Sequence, residues 1–135
     1  WGAVGGLYQA ARRGGPIELP RPGAAGHPWY GAAWVHAAAL ARAVAECLDR
    51  PVHGVANACS GHVSWRDLAD DLTRLLGTRA EFRETDEVPR DLDHRWHYAG
   101  ARLARPLRPR PGEERRTVLA EMIAGMTHGD DGGDG

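Results

Sequence analysis

Seven histidines, two cysteines and a basic complement made wholly of arginine set the chemistry open to this 135-residue chain. Lysine is the residue that supplies an amine able to shed its proton near neutral pH, and arginine does not. None of the 17 basic residues is a lysine, which excludes a Schiff base, a phosphate-loop lysine and a Tyr-x-x-x-Lys proton relay. His94-x-x-His97, with Asp91 and Asp93 close by, offers two imidazoles to a zinc ion. The motif lies in an irregular stretch with no third firmly placed ligand and no Cys partner, so surface histidines are the expected reading and no metal site is assigned. Cys59-Ser60-Gly61 resembles a nucleophile turn but lacks the Gly-x-Ser-x-Gly frame. Cys47 and Cys59 form neither a disulfide framework nor a paired zinc motif, and reduced thiols in a cytoplasmic setting are expected.

His36 stands beside Trp34 at the end of a long loop, where it either faces a substrate or is a buried, hydrogen-bonded histidine. Trp29, Tyr30 and Trp34 present a similar choice. They form an aromatic wall for an apolar or sugar-like ligand, or they cap a core that has a single Phe. Arg102, Arg105, Arg108, Arg110, Arg115 and Arg116 make a basic run, yet no aromatic residue interleaves it and Glu113 and Glu114 interrupt it. With a net charge of -1, a solvated face is expected there and no nucleic-acid partner.

Hydrophobic periodicity and turn residues predict the elements that carry these side chains. A helix over residues 3–13 ends at Gly14-Gly15-Pro16, and residues 17–19 form a short edge strand between prolines. Residues 20–33 are a Gly/Pro/aromatic loop too long to be a mere connector. Trp34-Val35-His36 is extended and enters a helix over 37–48, whose buried face is Leu40, Val44, Cys47 and Leu48 and which Pro51 stops. Residues 52–59 read as a buried strand. The strongest helix follows, capped by Ser64, with Trp65, Leu68, Ala69, Leu72, Leu75 and Leu76 apolar and Gly77 past its end. A strand over 80–83, an irregular charged stretch over 86–97 and a short helix near 99–104 complete the middle. A last helix after Pro111 has Glu113 and Glu114 in its first turn and buries Val118, Leu119, Met122, Ile123 and Met126. The Gly/Asp-rich stretch over 127–135 has nothing to bury and is expected to be a disordered tail. No apolar run is long enough to span a bilayer, so no membrane partner is expected.

The order P-I-E-L at 16–19, W-V-H-A-A-A-L-A-R-A-V at 34–44, V-A-N-A with a Ser-capped helix at 55–68, and L-R-P at 107–109 resembles the C-terminal, substrate-side portion of an NAD-dependent epimerase/dehydratase. That family is the extended short-chain dehydrogenases, and the likeness covers residues 3–126. The resemblance implies an α/β fold class: a mixed small lobe of short strands and three to five helices, with the N-terminal Rossmann portion absent. It implies that the complete enzyme holds NAD or NADP and the catalytic Tyr and Lys on that separate portion, while this chain contributes no catalytic residue and binds no cofactor by itself. Trp34 and His36 match the family's aromatic and His positions. Arg90 and Asp93 fit its Arg-x-x-Asp arrangement, with Arg95 close enough to serve the same role, which makes these five the expected substrate contacts.

The departures from the pattern also bear on function. The family's acidic pair falls on Ala38 and Ala39, which removes a side-chain cap and weakens that helix start by about 1 kcal/mol. The diphosphate-gripping Arg of nucleotide-sugar members falls on Ala32 or Ala33. The glycine-rich nucleotide turn is missing, because Gly2-Ala3-Val4-Gly5-Gly6 has the wrong spacing. A start at Trp1 is read as a chain cut from something longer. The expected function is the substrate-binding portion of an NAD(P)-dependent oxidoreductase acting on a sugar nucleotide or similar small polar carbonyl or hydroxyl compound. The alternative is a degenerate stand-alone lobe that binds a small ligand or protein without catalysis, in which uncovered apolar surface favours a homo-oligomer.

Overall fold

The computed structural model describes residues 2–130, with side chains as far as Met126. It is mixed α/β, with helices α1 (Gly2–Arg13), α2 (Ala37–Asp49), α3 (Trp65–Leu76), α4 (Ala104–Leu107) and α5 (Arg115–Asp130). Four short strands, β1 (Ile17–Pro20), β2 (Gly31–Trp34), β3 (Gly61–Ser64) and β4 (Phe82–Thr85), form two separate two-stranded sheets, β1 with β4 and β2 with β3. The chain divides into two compact units. One comprises the residues up to Ala33 together with His62–His97, and the other comprises Trp34–Gly61 and the residues from Tyr98 onward.

In the first unit β1 and β4 run parallel, with Ile17 opposite Phe82 and Pro20 opposite Thr85. Proline has no N–H to give the ladder, and Pro20 sits at the last position of β1, where the Arg21 N–H takes over by donating to the Thr85 carbonyl at 2.9 Å. Helices α1 and α3 pack on one another and on β1. Leu7, Tyr8 and Ala11 of α1 are buried, as are Leu68, Ala69 and Leu72 of α3. Each of the buried leucines contributes about 1.5–3 kcal/mol of transfer free energy. The boundaries of α3 are set locally. Ser64 Oγ accepts from the Asp67 N–H at 3.0 Å, and Gly77 closes the helix at φ 65°. A side chain at that φ is strained, so glycine is the residue that stops the helix there. At Gly31 the demand is for space: a Cβ would overlap the Val63 carbonyl oxygen and the Trp29 ring.

The second unit corrects two expectations. Helix α2 forms where the spacing predicts it, but its buried residues are Ala39 and Ala43. Ala43 packs with Leu103 and Leu107, and Val35, Cys47 and Ala56 rest against that cluster. The α4 segment approaches α2 along its alanines, where two backbones come closest, and this turns Leu40, Val44 and Leu48 outward. The predicted strand over 52–59 is irregular, with Val52 and Val55 exposed. A strand needs a neighbour for its N–H and C=O groups, and none pairs with this segment among the described residues. Side chains serve instead. Arg102 donates to the carbonyls of His53 and Val55 at 2.7 and 3.4 Å, and Asn57 Nδ2 donates to the Ala99 carbonyl at 3.2 Å.

Smaller differences follow the same logic. The strand expected over 80–83 is Phe82–Thr85, because Ile17 selects Phe82 as its partner. The helix expected near 99–104 is a 3-10 turn at Ala101–Leu103 running into α4. Glu113 and Glu114 precede α5, whose one fully buried apolar side chain among the described residues is Leu119. Helix α5 runs past residue 126, where the tail was expected to begin, and residues 131–135 of that expected tail lie outside the described residues.

Candidate functional site

The five expected substrate contacts divide between the units: Trp34 and His36 belong to one, and Arg90, Asp93 and Arg95 to the other. In the second unit, Trp34 ends β2, its carbonyl accepts from the Ser60 N–H at 2.8 Å, and its indole lies where a Cβ on Gly61 would be 3.0 Å away. His36 has a structural task. Its Nδ1 accepts from the Ala38 N–H at 3.1 Å, so the imidazole caps α2 in place of the acidic residue that its first turn lacks. An accepting Nδ1 puts the proton of the neutral ring on Nε2. That Nε2 is buried without a hydrogen bond and lies 3.6 Å from Glu121 Oε2 on α5.

Next to this cap, Glu113 accepts from both terminal nitrogens of Arg42, one at 2.7 Å, and its Oε2 also accepts from the Arg110 N–H at 3.0 Å. The Arg42 guanidinium, then burial in opposition, then the Arg110 N–H act on the Glu113 carboxyl and hold it down to about 2. Bound on both prongs, Arg42 has no free fork to offer a phosphate.

In the first unit, Arg90, itself exposed, begins a 3-10 turn (Arg90–Leu92) whose Leu92 is buried, and Asp93 follows it with Oδ1 3.7 Å from Arg95 Nη1. Pro89, Asp91 and Leu92 form one wall of a mainly apolar cavity of about 270 Å3, whose lining also includes Gly6, Leu7 and Ala10 of α1 and Ile17 and Glu18 of β1. The cavity is large enough for a small organic group, and the Arg90 turn lies at its edge. Of the loop aromatics, Tyr30 is core, its hydroxyl donating to the Ala24 carbonyl at 2.5 Å. Trp29 instead meets His97 at 4.0 Å between ring centroids, and His97 stacks on His62 at 4.5 Å.

His94 and His97 therefore turn to different neighbours. His94 sets its ring edge-on to Trp65 at 6.0 Å, while its carbonyl accepts from the Gly31 N–H at 2.8 Å. No group of three or more His, Cys, Asp or Glu side chains able to hold a metal ion occurs among the described residues. Gly2, Gly5 and Gly6 lie within α1 rather than on a turn between a strand and a helix, so they offer a dinucleotide pyrophosphate no cradle of backbone N–H groups. These glycines do not fit the pyrophosphate of NAD or NADP. No described helix is long and apolar enough to cross a membrane.

Sequence reasoning missed the His62–His97 stack and the Arg42–Glu113 fork, both of which join residues far apart in the chain. Comparison with protein-family models, with curated proteins and with solved structures finds no match.

Proposed function

We propose that this chain is the substrate-binding portion of an NAD(P)-dependent epimerase/dehydratase-type oxidoreductase, with the dinucleotide and the catalytic Tyr and Lys on a separate Rossmann lobe. Its substrate class is a sugar nucleotide or a similar small polar carbonyl or hydroxyl compound. The observation that carries this reading is the apolar surface left open on the second unit. Leu40, Val44 and Leu48 follow one another at i, i+4 and i+8 along α2, Leu48 being 81% exposed, and Val55 is 88% exposed on the neighbouring irregular segment. A contiguous apolar stripe on a helix is the mark of a surface that another element covers. The order of a helix, a short strand, an aromatic-Val-His entry to a helix and a Ser-capped helix further supports the resemblance.

On this reading the chain sets substrate choice rather than rate. The exposed Arg90 guanidinium supplies a charge at the cavity edge, Asp93 and Arg95 flank it, and Trp34 with the His36 cap shapes the start of α2. Calorimetric titration with UDP-glucose, a simple hexose and NAD tests the reading. Binding of the sugar probe should weaken by roughly tenfold in Arg90→Ala, and NAD should not bind. Reduction or oxidation of a dinucleotide by these residues alone would end the proposal, and unchanged affinity in Arg90→Ala would remove the site.

The cavity of about 270 Å3 favours the second reading, a free-standing lobe that binds a ligand without catalysis. A monomer on size-exclusion chromatography with one cooperative melt would favour it over a portion that needs a covering lobe.

A further inference from the structure

The cavity of about 270 Å3 lies wholly within the first unit, between α1, β1 and the turn that Arg90 begins. Leu7, Ile17 and Leu92 give it buried apolar side chains. An apolar cavity of roughly 150 Å3 already takes up a benzene ring, so this one has room for an aromatic or branched aliphatic group. Gly6 keeps one side of it open. Glycine inside a helix is disfavoured relative to alanine, because it gives up more backbone freedom on folding. Gly6 is not among the glycines with positive φ, and a Cβ placed on it meets nothing within 4 Å. Neither backbone angle nor a close neighbour therefore requires glycine there, and the space a side chain would occupy is left to the cavity.

We propose that this cavity is a binding site for a small apolar amine, whose hydrocarbon part fills the space beside Gly6 and whose ammonium meets Glu18 and Asp91. These two are the charged residues of the lining, one on β1 and one on the turn, and both are exposed. No basic residue lines the cavity. Glu18 stands beside Arg83 in the strand register, but that guanidinium is held by Glu81 at 3.1 Å through both Nε and Nη2 and acts on Glu18 through charge alone. Arg90 adjoins Asp91 and is exposed, outside the lining. An apolar interior with acceptors at its edge favours a ligand that buries hydrocarbon and donates charged N–H groups at one end. A carboxylate ligand of the same shape would meet like charge, and a neutral one would leave the charge complementarity unused. The proposal rests on the cavity as a ligand site and not on the sugar-nucleotide contact at Arg90.

Titration of the full chain with phenethylamine, its neutral counterpart phenethyl alcohol and the anion phenylacetate, followed by backbone amide NMR shifts, tests the site. The amine should bind about fivefold more tightly than the alcohol, and phenylacetate more weakly than either. The amides that move should include Leu7, Ala10, Ile17 and Leu92. In the double variant Glu18→Gln, Asp91→Asn, which keeps shape and removes charge, the amine should fall to the affinity of the alcohol. Gly6→Leu fills the cavity and should abolish binding of both. Where that variant does not fold, the double variant of two exposed residues still decides. Absence of binding by the wild type, equal affinity for amine and alcohol, an amine preference that survives in the double variant, or binding that survives in a folded Gly6→Leu overturns the proposal. The UDP-glucose titration with Arg90→Ala is read separately, so either site can fail while the other stands.

Discussion

Glu113 shows how much one side chain's role depends on what lies across the fold. Placed just after Pro111 and ahead of an apolar periodicity, it reads as a first-turn charge of the last helix, but that helix begins at Arg115. Its carboxylate instead closes on Arg42, 71 residues away, and on the Arg110 N–H. The folded carboxyl, held at about 2, lies below the ordinary value of 4.5. Its contribution is therefore present above about pH 4.5 and is lost as the pH falls from there toward 2. Glu113→Gln should be less stable than the wild type at neutral pH, and the difference should shrink steadily as the pH falls toward 2. Urea melts across that interval measure it, and an unchanged acid slope in the variant would show that the fork does not govern acid stability. His36 carries a similar lesson. Its neighbours in sequence left open whether it faces substrate or packs inside, and the Ala38 N–H bond makes it a helix cap with a buried Nε2.

For whole elements, α2 separates what periodicity predicts from what packing selects. Its length, its entry after His36 and its end before Pro51 were all legible, because backbone hydrogen bonding and proline geometry are local. The face it buries was not, because two faces compete and a narrow alanine face wins wherever the partner helix comes close. Substitution should rank the faces. Leu48→Gln should change stability by no more than about 0.5 kcal/mol, as at other exposed sites. Ala43→Leu, forced against Leu103 and Leu107, should cost about 1–3 kcal/mol by overpacking. Chemical denaturation of the two variants decides the matter, and a larger loss in Leu48→Gln would mean that the leucine stripe is the buried face.

Across the whole molecule, backbone protection should follow the elements rather than the hydrophobic residues. Residues 52–58 carry Val52 and Val55 yet have no ladder, whereas α3 is capped at both ends and buries Trp65, Leu68 and Leu72. In hydrogen exchange, amides of α3 should be slower than those of 52–58 by at least about a hundredfold. Comparable rates would mean that the irregular segment is paired in solution. The sequence by itself determined where α1, α2 and α3 start and stop, that β1 and a strand near Phe82 exist, and that lysine chemistry is excluded. Caps, prolines, glycines and side-chain type act within a few residues of themselves. Only the tertiary structure decided which face α2 buries, that 52–59 stays irregular, that Arg42 is bound by Glu113, and that His97 stacks on His62 rather than acting with His94. Each of these outcomes depends on a partner distant in the chain, and a one-dimensional pattern holds no distance between such partners.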